Sequence, residues 1–361
     1  MESMPMRTSP CPLLTEAINM YNRLLYLGYY LKNLDRKTFR LFLNHVKKLQ
    51  GKSSAALLAD VIGSSMKYNI SLLEYFQFGF FEKNAEERAT YAGTGYMYEY
   101  QLVMNPKTSR AVLDDKKEFF TRYSPFVRHL AADIDTLRTR TNMRQEMLNN
   151  PSGKVVLKYS HGQCGWQVGI YETGFFQDRD LIEFMEQEGY DLAEEFIVQH
   201  PSLMALSPSA VNTVRVITQL NADDEVVLLG ARLRVSENSP VDNMASGNFA
   251  AAIDIETGKV NTPGVYSDIT KDDVKVHPVT GVEVVGFQVP YWSEIIDMVQ
   301  KAALHVPENR SIGWDVAVTE QGPELIEGNH DWCKLVWQLP VKQGLKPVLQ
   351  RHWDEYRQKT A

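Results

Sequence analysis

Two carboxylates and an amide near the C-terminus have the types and spacing of a divalent-cation site. Asp315 lies within the apolar run IGWDVAV, and Glu327 and Asn329 follow in PELIEGN, which gives the pattern D-x11-E-x-N. Side chains two positions apart on a strand share a face, and a hairpin between the two runs would bring Asp315 beside the other two. Hard oxygen ligands of this kind suit Mg2+ whose shell is completed by phosphate oxygens. A solvated strand face or a structural hydrogen-bond network is the alternative.

A lysine followed by a glycine-bearing loop is a candidate for phosphate binding. Lys158 ends the apolar run GKVVLKYS, and the polar stretch SHGQCG that follows it contains Gly162 and Gly165. An ammonium group there can reach phosphate oxygens, and glycine lets backbone N–H groups approach them closely. The P-loop pattern G-x-x-x-x-G-K-[ST] is absent, so this signal is weak by itself.

Arginines on two further predicted strands are candidates for anion binding. Arg215 lies in VNTVRVITQL, and Arg232 and Arg234 share one face of EVVLLGARLRV. A guanidinium group binds phosphate or carboxylate through two N–H groups at once. A solvated or salt-bridged arginine is the alternative at each position.

Hydrophobic periodicity predicts the elements that would position these side chains. The first 150 residues are predicted to be mostly helical, with Asp35 as a cap between two helices and with Ser71 and Glu74 as a capping box. The apolar residues 24–31 (LLYLGYYL) are too few to span a membrane, and we expect them to form a buried helix face. From about Lys154 onwards, short β-rich runs separated by turn signals predict strands and hairpins.

Length and composition limit the class of protein. The 361 residues suffice for two or three domains. The chain has 38 basic and 45 acidic residues, a net charge of −7 that argues against a nucleic-acid partner. Three scattered cysteines, no apolar signal-peptide core and no run of about 18 apolar residues predict a cytoplasmic protein without a membrane span. Length and composition do not determine the oligomeric state.

The order of these features resembles the ATP-grasp superfamily. The stretches SAVNTVRVIT, VDNMASGNFAAAID, VHPVTG and GWDVAVTEQGPELIEGN are similar to its sugar-transfer-associated family, which is related to α-L-glutamate ligases. The resemblance covers roughly residues 70–340 and implies an α+β fold in which two subdomains clamp ATP behind a helical N-terminal region. The expected division is a helical region 1–110, an ATP-grasp domain 111–345 and a tail 346–361. Within the domain, residues 151–200 would clamp the nucleotide and residues 201–345 would bind metal and substrate.

The same resemblance implies which residues bind the nucleotide. Lys158 and Lys116 would bind its phosphates, although the neighbouring Lys117 leaves the second assignment open by one position. The glycines of the loop would close over them. Gln199 falls near the place where relatives have a ribose-binding carboxylate. The linker that meets adenine would consist of Glu194, Glu195, Phe196 and Ile197.

The remaining implied roles concern the metal and the acceptor. Asp315, Glu327 and Asn329 would hold one or two Mg2+ ions, and Arg215 would contact the transferred phosphoryl group or an acyl phosphate. Arg234 and Asn243 would lie on the substrate side.

The implied reaction is ATP-dependent ligation of a carboxylate to an amine through an acyl phosphate. ATP and Mg2+ would be the cofactors, and the partners would be a small-molecule carboxylate and amine, with a sugar or glycan precursor among the candidates. The expected context is biosynthesis of cell-surface polysaccharide or a peptide conjugate. A phosphotransferase acting on a sugar or polyol hydroxyl and a non-catalytic scaffold in a glycan-assembly complex remain as alternatives.

Overall fold

The structure is a computed structural model that describes residues 12–160 and 168–360, with side chains from residue 22 onwards. Two compact units divide the chain. One ends at Tyr98 and includes Gly344–Lys346, and the other consists of Glu99–Gln343 together with the residues from Pro347 onwards. No helix in the described ranges is long and apolar enough to cross a membrane.

The first unit is helical, as predicted. Its helices are α1 (Pro12–Lys32), α2 (Arg36–Gln50), α3 (Ser54–Tyr68), α4 (Leu72–Gln77), α5 (Ala85–Ala89) and the start of α6 (Thr94–Met104). Both predicted caps are confirmed. Asp35 accepts hydrogen bonds from the backbone N–H groups of Lys37 and Thr38, and Ser71 and Glu74 cap α4 reciprocally.

The prediction that residues 24–31 form a buried helix face is wrong. Leu24, Leu25, Tyr29 and Leu31 expose 50–60% of their surface, whereas Tyr30 is buried. Spacing along a helix indicates which side chains share a face, but it does not require that another element covers that face.

The second unit contains the remaining helices and two antiparallel sheets. Its helices are α7 (Lys107–Asp114), α8 (Lys116–Arg122), α9 (Ile134–Thr139), α10 (Thr141–Leu148), α11 (Leu181–Glu188), α12 (Pro201–Leu206), α13 (Trp292–Ala303), α14 (Lys334–Gln338) and α15 (Lys346–Thr360). Its strands are β1 (Ala131–Asp133), β2 (Lys154–Lys158), β3 (Val168–Glu172), β4 (Leu192–Glu195), β5 (Val214–Leu220), β6 (Val226–Val235), β7 (Phe249–Ile253), β8 (Val265–Tyr266), β9 (Ser311–Thr319) and β10 (Gly322–Asn329).

The smaller sheet has the strand order β1-β4-β2-β3. The predicted hairpin of β2 and β3 is confirmed, with Lys158 paired to Val168 at its open end. Val155 and Leu157 point into a core formed with α9, α10 and α11, so alternation directs Lys158 to the opposite face. The strand predicted for EEFIV is shorter than expected, because β4 ends at Glu195.

The larger sheet has the strand order β10-β9-β5-β6-β7-β8. One face packs on α8, α12 and α13 through alternate apolar residues such as Val214, Val216 and Leu233. The residues between them, including Arg215 and Arg234, therefore project from the other face. The predicted helix near Tyr291 to Leu304 and the predicted β9–β10 hairpin are both present.

The C-terminal residues, which we expected to form a tail, are helical in α15. Leu349, His352 and Trp353 are buried, and the Trp353 ring lies 5.7 Å from the Tyr100 ring between centroids. The predicted domain boundaries stay a prediction.

Candidate functional site

A β-bulge brings the predicted metal ligands to one face of the larger sheet. Leu325 pairs with Val316 and points into the core, whereas Glu327 pairs with Asp315, so the intervening Ile326 is an extra residue in β10. If β10 paired regularly through Ile326, Glu327, two positions after Leu325, would also face the core. Because of the bulge, Glu327 projects beside Asp315 on the polar face.

Asp315 is the centre of a buried charge network. Arg215 contacts it through Nε and Nη2, with Nη2 2.8 Å from Asp315 Oδ2, and Arg234 Nη1 donates to the same oxygen at 2.8 Å. Arg234 Nη2 also lies 2.7 Å from Asp242 Oδ1. Burial alone would raise the pKa of Asp315, but the guanidinium groups of Arg215 and Arg234 outweigh it and hold this pKa far below its usual range.

Glu327 has the opposite electrostatic environment. Burial and the negative charge of Asp315, its cross-strand neighbour, raise the pKa of Glu327. Asn329 Nδ2 donates to Glu327 Oε1 at 3.2 Å. Two adjacent carboxyl groups repel each other as anions and can share a cation, which fits the oxygen-rich ligand set of Mg2+. No cluster of three His, Cys, Asp or Glu in the described ranges forms a metal site, so this set depends on the Asn329 amide.

Lys158 belongs to a chain of polar contacts that the sequence did not predict. Its Nζ lies 2.5 Å from Glu194 Oε2, and the same oxygen is 3.8 Å from His129 Nε2. His129 Nδ1 is 2.7 Å from Glu324 Oε2 on β10. Burial would raise the pKa of Glu324, but hydrogen bonds from His129 lower it below its usual value. The phosphate-binding candidate on the smaller sheet is thereby connected to the strand that carries Glu327.

The two candidate lysines of α8 are placed differently. Lys117 Nζ forms an ion pair with Asp191 at 3.0 Å. Lys116 Nζ lies 3.4 Å from the backbone oxygen of Ser160, the last described residue before the glycine-bearing loop. This placement favours Lys116 as the second phosphate-binding residue. The predicted Gly162 and Gly165 lie outside the described residues.

The predicted adenine linker follows β4 directly. Glu194 is buried, and Glu195 Oε2 accepts a hydrogen bond from the backbone N–H of Leu130 at 3.3 Å. Lys154 Nζ lies over the ring of Phe196, 5.4 Å from its centroid. Ile197 is partly buried. Glu195 is still paired within the sheet, and the backbone N–H of Phe196 donates to Lys154 O at 3.4 Å, so the chain leaves the strand ladder at Ile197.

Gln199 does not suit a ribose contact. Its Nε2 donates to the backbone oxygens of Ser207 and Ala210, each at 2.9 Å, and its Oε1 accepts from the backbone and side-chain nitrogens of Asn212, each at 3.0 Å. An amide side chain has two donor and two acceptor positions, and all four are used here. We therefore leave Gln199 out of the proposed nucleotide site.

Of the predicted substrate-side residues, Arg234 contacts Asp242, and Asn243 is the neighbour of Asp242 in sequence. Arg234 reaches Asp242 as an ion pair, and Thr213 donates to Asp242 from its backbone N–H at 2.9 Å. Burial raises the pKa of Asp242 despite the lowering effect of Arg234. Asn243 follows in the chain, and its Oδ1 caps the short 3-10 turn Met244–Ser246 by accepting from Ala245 N–H.

Comparison with known proteins identifies a family. A family model described as sugar-transfer associated ATP-grasp matches residues 96–353. This match confirms the predicted resemblance and the predicted ATP-grasp fold. No curated protein matches the chain.

Several solved structures are similar to the chain at low identity. They include the ATP-grasp ligase PsnB complexed with a minimal precursor (14% identity, 72% of this chain and 63% of that chain, TM-score 0.41). A biotin carboxylase–β-γ-ATP complex from Campylobacter jejuni has 11% identity, covers 69% of this chain and 47% of that chain, and has a TM-score of 0.44. A D-alanine–D-alanine ligase from Bacillus anthracis has 12% identity, covers 70% of each chain and has a TM-score of 0.39. The chain spans less than two thirds of the length of the first two.

Proposed function

Because the chain belongs to the sugar-transfer associated ATP-grasp family, we propose that it is an ATP-dependent carboxylate–amine ligase. A carboxylate oxygen of the substrate attacks the terminal phosphorus of ATP, ADP leaves and an acyl phosphate forms. An amine then attacks the acyl carbon, loses a proton and releases phosphate as the amide bond forms. The observation that carries the proposal is the buried cluster in which Asp315 and Glu327 lie beside Arg215 and Arg234.

Lys158 and Lys116 bind the nucleotide phosphates in this proposal. Lys158 Nζ is held by Glu194 on its own sheet, and Lys116 reaches the start of the loop that contains Gly162 and Gly165. Phosphoryl transfer between two anions is slow unless positive charge offsets their repulsion, and two positioned ammonium groups supply part of it. The linker at residues 194–197 contacts adenine.

Asp315, Glu327 and Asn329 hold the metal. Mg2+, when bound there, stabilises the negative charge of the phosphate oxygens as a Lewis acid. The protein's contribution is to place two carboxylates and an amide within contact of one another before metal arrives. Arg215 and Arg234 offset part of the repulsion between these two acids in its absence.

Arg215 is the residue that we assign to the transferred phosphoryl group. It is 6% exposed and already fixed by Asp315, so it presents a preorganised guanidinium group at the polar face. Arg234, which contacts Asp315 together with Arg215, and Asn243, which follows the Asp242 partner of Arg234 in the chain, are assigned to the acceptor.

The substrates that fit the family are a small carboxylate and an amine, one of them attached to a sugar or glycan precursor. We place the reaction in the cytoplasm, where ATP is available, and assign it to residues 111–345. Synthesis of cell-surface polysaccharide or a peptide conjugate is the corresponding process.

Thermal unfolding with nucleotide tests the site before a substrate is known. A ligand that binds only the native state raises the melting temperature by mass action. We expect ATP with Mg2+ to raise it more than either alone, and we expect Glu327→Gln to abolish that gain. Glu256→Gln, a change of the same charge at an exposed position, should keep it. An equal shift in Glu327→Gln, or none in the wild type at millimolar ATP, would contradict the assignment.

Product analysis tests the reaction. A ligase releases free phosphate and ADP in equal amounts only when both carboxylate and amine are present. A phosphate ester formed on a sugar or polyol hydroxyl without amine would refute ligation and indicate a phosphotransferase. Nucleotide binding without turnover across a broad panel of acids and amines would favour the scaffold.

A further inference from the structure

The positive charge of the chain is concentrated in α1, α2 and the turn after them. Residues 22–52 contain eight Lys and Arg residues and a single acid, Asp35, so their net charge is +7. The whole chain has a net charge of −7, which leaves −14 for all other residues. A segment of such opposite sign indicates an anionic partner rather than general solubility.

The cations of α2 occupy its solvent-facing side. Arg40, Lys47 and Lys48 are exposed, as is Lys52 just beyond the helix. Phe42 and Val46 lie on the opposite side and are buried, and Phe42 contacts Phe76 of α4 with ring centroids 6.1 Å apart. Helical periodicity therefore separates a packed apolar face from an exposed basic face.

Large apolar side chains are exposed in the same two helices. Leu24 and Leu31 lie on one side of α1, seven positions apart, and Leu25 and Tyr29 flank that side. On α2, Leu41 and Leu49 expose 47% and 60% of their surface. Single exposed leucines are ordinary, but a group of six on two consecutive helices is a recognised sign of an interaction surface.

We propose that α1 and α2 bind the surface of a membrane that contains anionic lipid. Basic side chains bind lipid headgroups, and leucine and tyrosine side chains enter the boundary between headgroups and acyl chains. The helices lie on such a surface rather than cross it. This inference does not depend on the proposed reaction, because none of these residues belongs to the candidate site.

The apolar component distinguishes a membrane from other polyanions. Nucleic acids and acidic glycans bind basic surfaces through charge, and they give exposed leucines no apolar medium to enter. An anionic bilayer satisfies both features of this surface at once. The two components therefore make separate predictions.

The test is flotation of the purified full-length protein with vesicles of phosphatidylcholine, with and without phosphatidylglycerol. We expect binding only to vesicles with phosphatidylglycerol, and we expect added salt to weaken it. A charge variant replaces exposed cations with glutamine: Arg40→Gln, Lys47→Gln, Lys48→Gln and Lys52→Gln. Its matched control makes the same change in charge elsewhere: Lys107→Gln, Lys259→Gln, Lys275→Gln and Lys301→Gln. Each basic residue near an anionic surface contributes a factor of about five, so the charge variant should bind several hundredfold more weakly.

An apolar variant tests insertion. It combines Leu24→Gln, Leu25→Gln and Leu31→Gln, and its control is Val279→Gln, Val285→Gln and Leu304→Gln, which are also exposed. We expect the apolar variant to lose vesicle binding at salt concentrations where its control still binds. Circular dichroism melts verify that every variant is folded.

Three results would overturn the inference. The first is no binding to anionic vesicles, and the second is equal loss in the charge variant and its control. The third is an apolar variant that binds anionic vesicles as tightly as the wild type does, together with complete displacement of the wild type from these vesicles by an oligonucleotide. That result would indicate a general polyanion surface instead of a membrane surface.

Discussion

Replacing Asp315 with asparagine separates two roles of the buried cluster. If Asp315 mainly neutralises Arg215 and Arg234, its removal destabilises the protein. If Asp315 mainly repels Glu327 in the protein without bound cation, removing its charge stabilises the protein. Asparagine keeps the shape of the side chain and removes only its charge, so the sign of the change in unfolding free energy decides between them.

The magnitude follows from the contacts. Asp315 accepts three hydrogen bonds from two guanidinium groups, and all three residues are at most 9% exposed. Removing one partner of a buried ion pair costs about 3–5 kcal/mol. In the Asp315→Asn protein, Arg234 still has its ion pair with Asp242, and Arg215 still has the carboxyl group of Glu327 nearby. We therefore expect a loss of about 3 kcal/mol in unfolding free energy, at the lower end of this range. This corresponds to a fall of roughly 6–12 °C in melting temperature for a unit of this size.

The assay is thermal unfolding followed by tryptophan fluorescence. All six tryptophans lie between residues 166 and 353, so the signal reports the second unit alone. Asp272→Asn, an exposed acid, is the control for the chemical change. Glu327→Gln should leave the melting temperature unchanged or slightly higher, because it removes a carboxyl group whose pKa is raised beside Asp315. An Asp315→Asn protein as stable as the wild type would refute the reasoning, as would equal destabilisation by Glu327→Gln.

Three further predictions concern other residues. Lys158→Ala should lower turnover by about a hundred- to a thousandfold in a steady-state assay of ADP release, and near-normal turnover would remove it from the site. Gly313→Ala should cost about 1–3 kcal/mol in urea unfolding, because a Cβ there would lie 2.6 Å from Trp332 Cβ; an unchanged midpoint would contradict this packing. In the first unit, hydrogen bonds from Arg88 outweigh burial and lower the pKa of Asp60 from 3.8. Its stabilising effect is present above that value and is lost as pH falls through the lower folded pKa, so Asp60→Asn should destabilise the protein at neutral pH, and the difference should vanish in acid. Circular dichroism melts across pH measure this, and a difference independent of pH would contradict it.

The grouping of Asp315, Glu327 and Asn329 was predictable because it depends on short-range geometry. Strand periodicity places Glu327 and Asn329 on one face, and the few residues between β9 and β10 return the chain beside Asp315. The bulge at Ile326 was not predictable, since neither glycine nor proline marks that position in the sequence. Which face a strand residue occupies depends on pairing with its neighbour, and one sequence read alone does not contain that pairing.

Contacts between distant segments were outside the reach of the sequence. His129 lies in a loop and contacts Glu324, which is 195 positions later in the chain, and no sequence pattern predicts that contact. The resemblance placed Gln199 near a ribose, but local hydrogen bonds to the segment ending at Asn212 use its whole amide. The prediction for residues 24–31 was wrong for a different reason. Their apolar spacing is that of a helix face, but the sequence does not show whether another element packs against that face, and most of these side chains are exposed.

The inserted residue in β10 also changes the parity of the strand. Glu324 and Glu327 are three positions apart, an odd spacing that puts side chains of a regular strand on opposite faces. The insertion lets both serve the same face, so one strand supplies an acid to His129 and another acid beside Asp315. If Ile326 instead paired regularly with Asp315, Glu327 would turn toward the apolar core while Glu324 kept its partner. Deleting Ile326 would leave both acids on the same face, because they would then be two positions apart. The bulge thus sets whether the acid that contacts His129 and the acid beside Asp315 lie on one face of the sheet or on opposite faces.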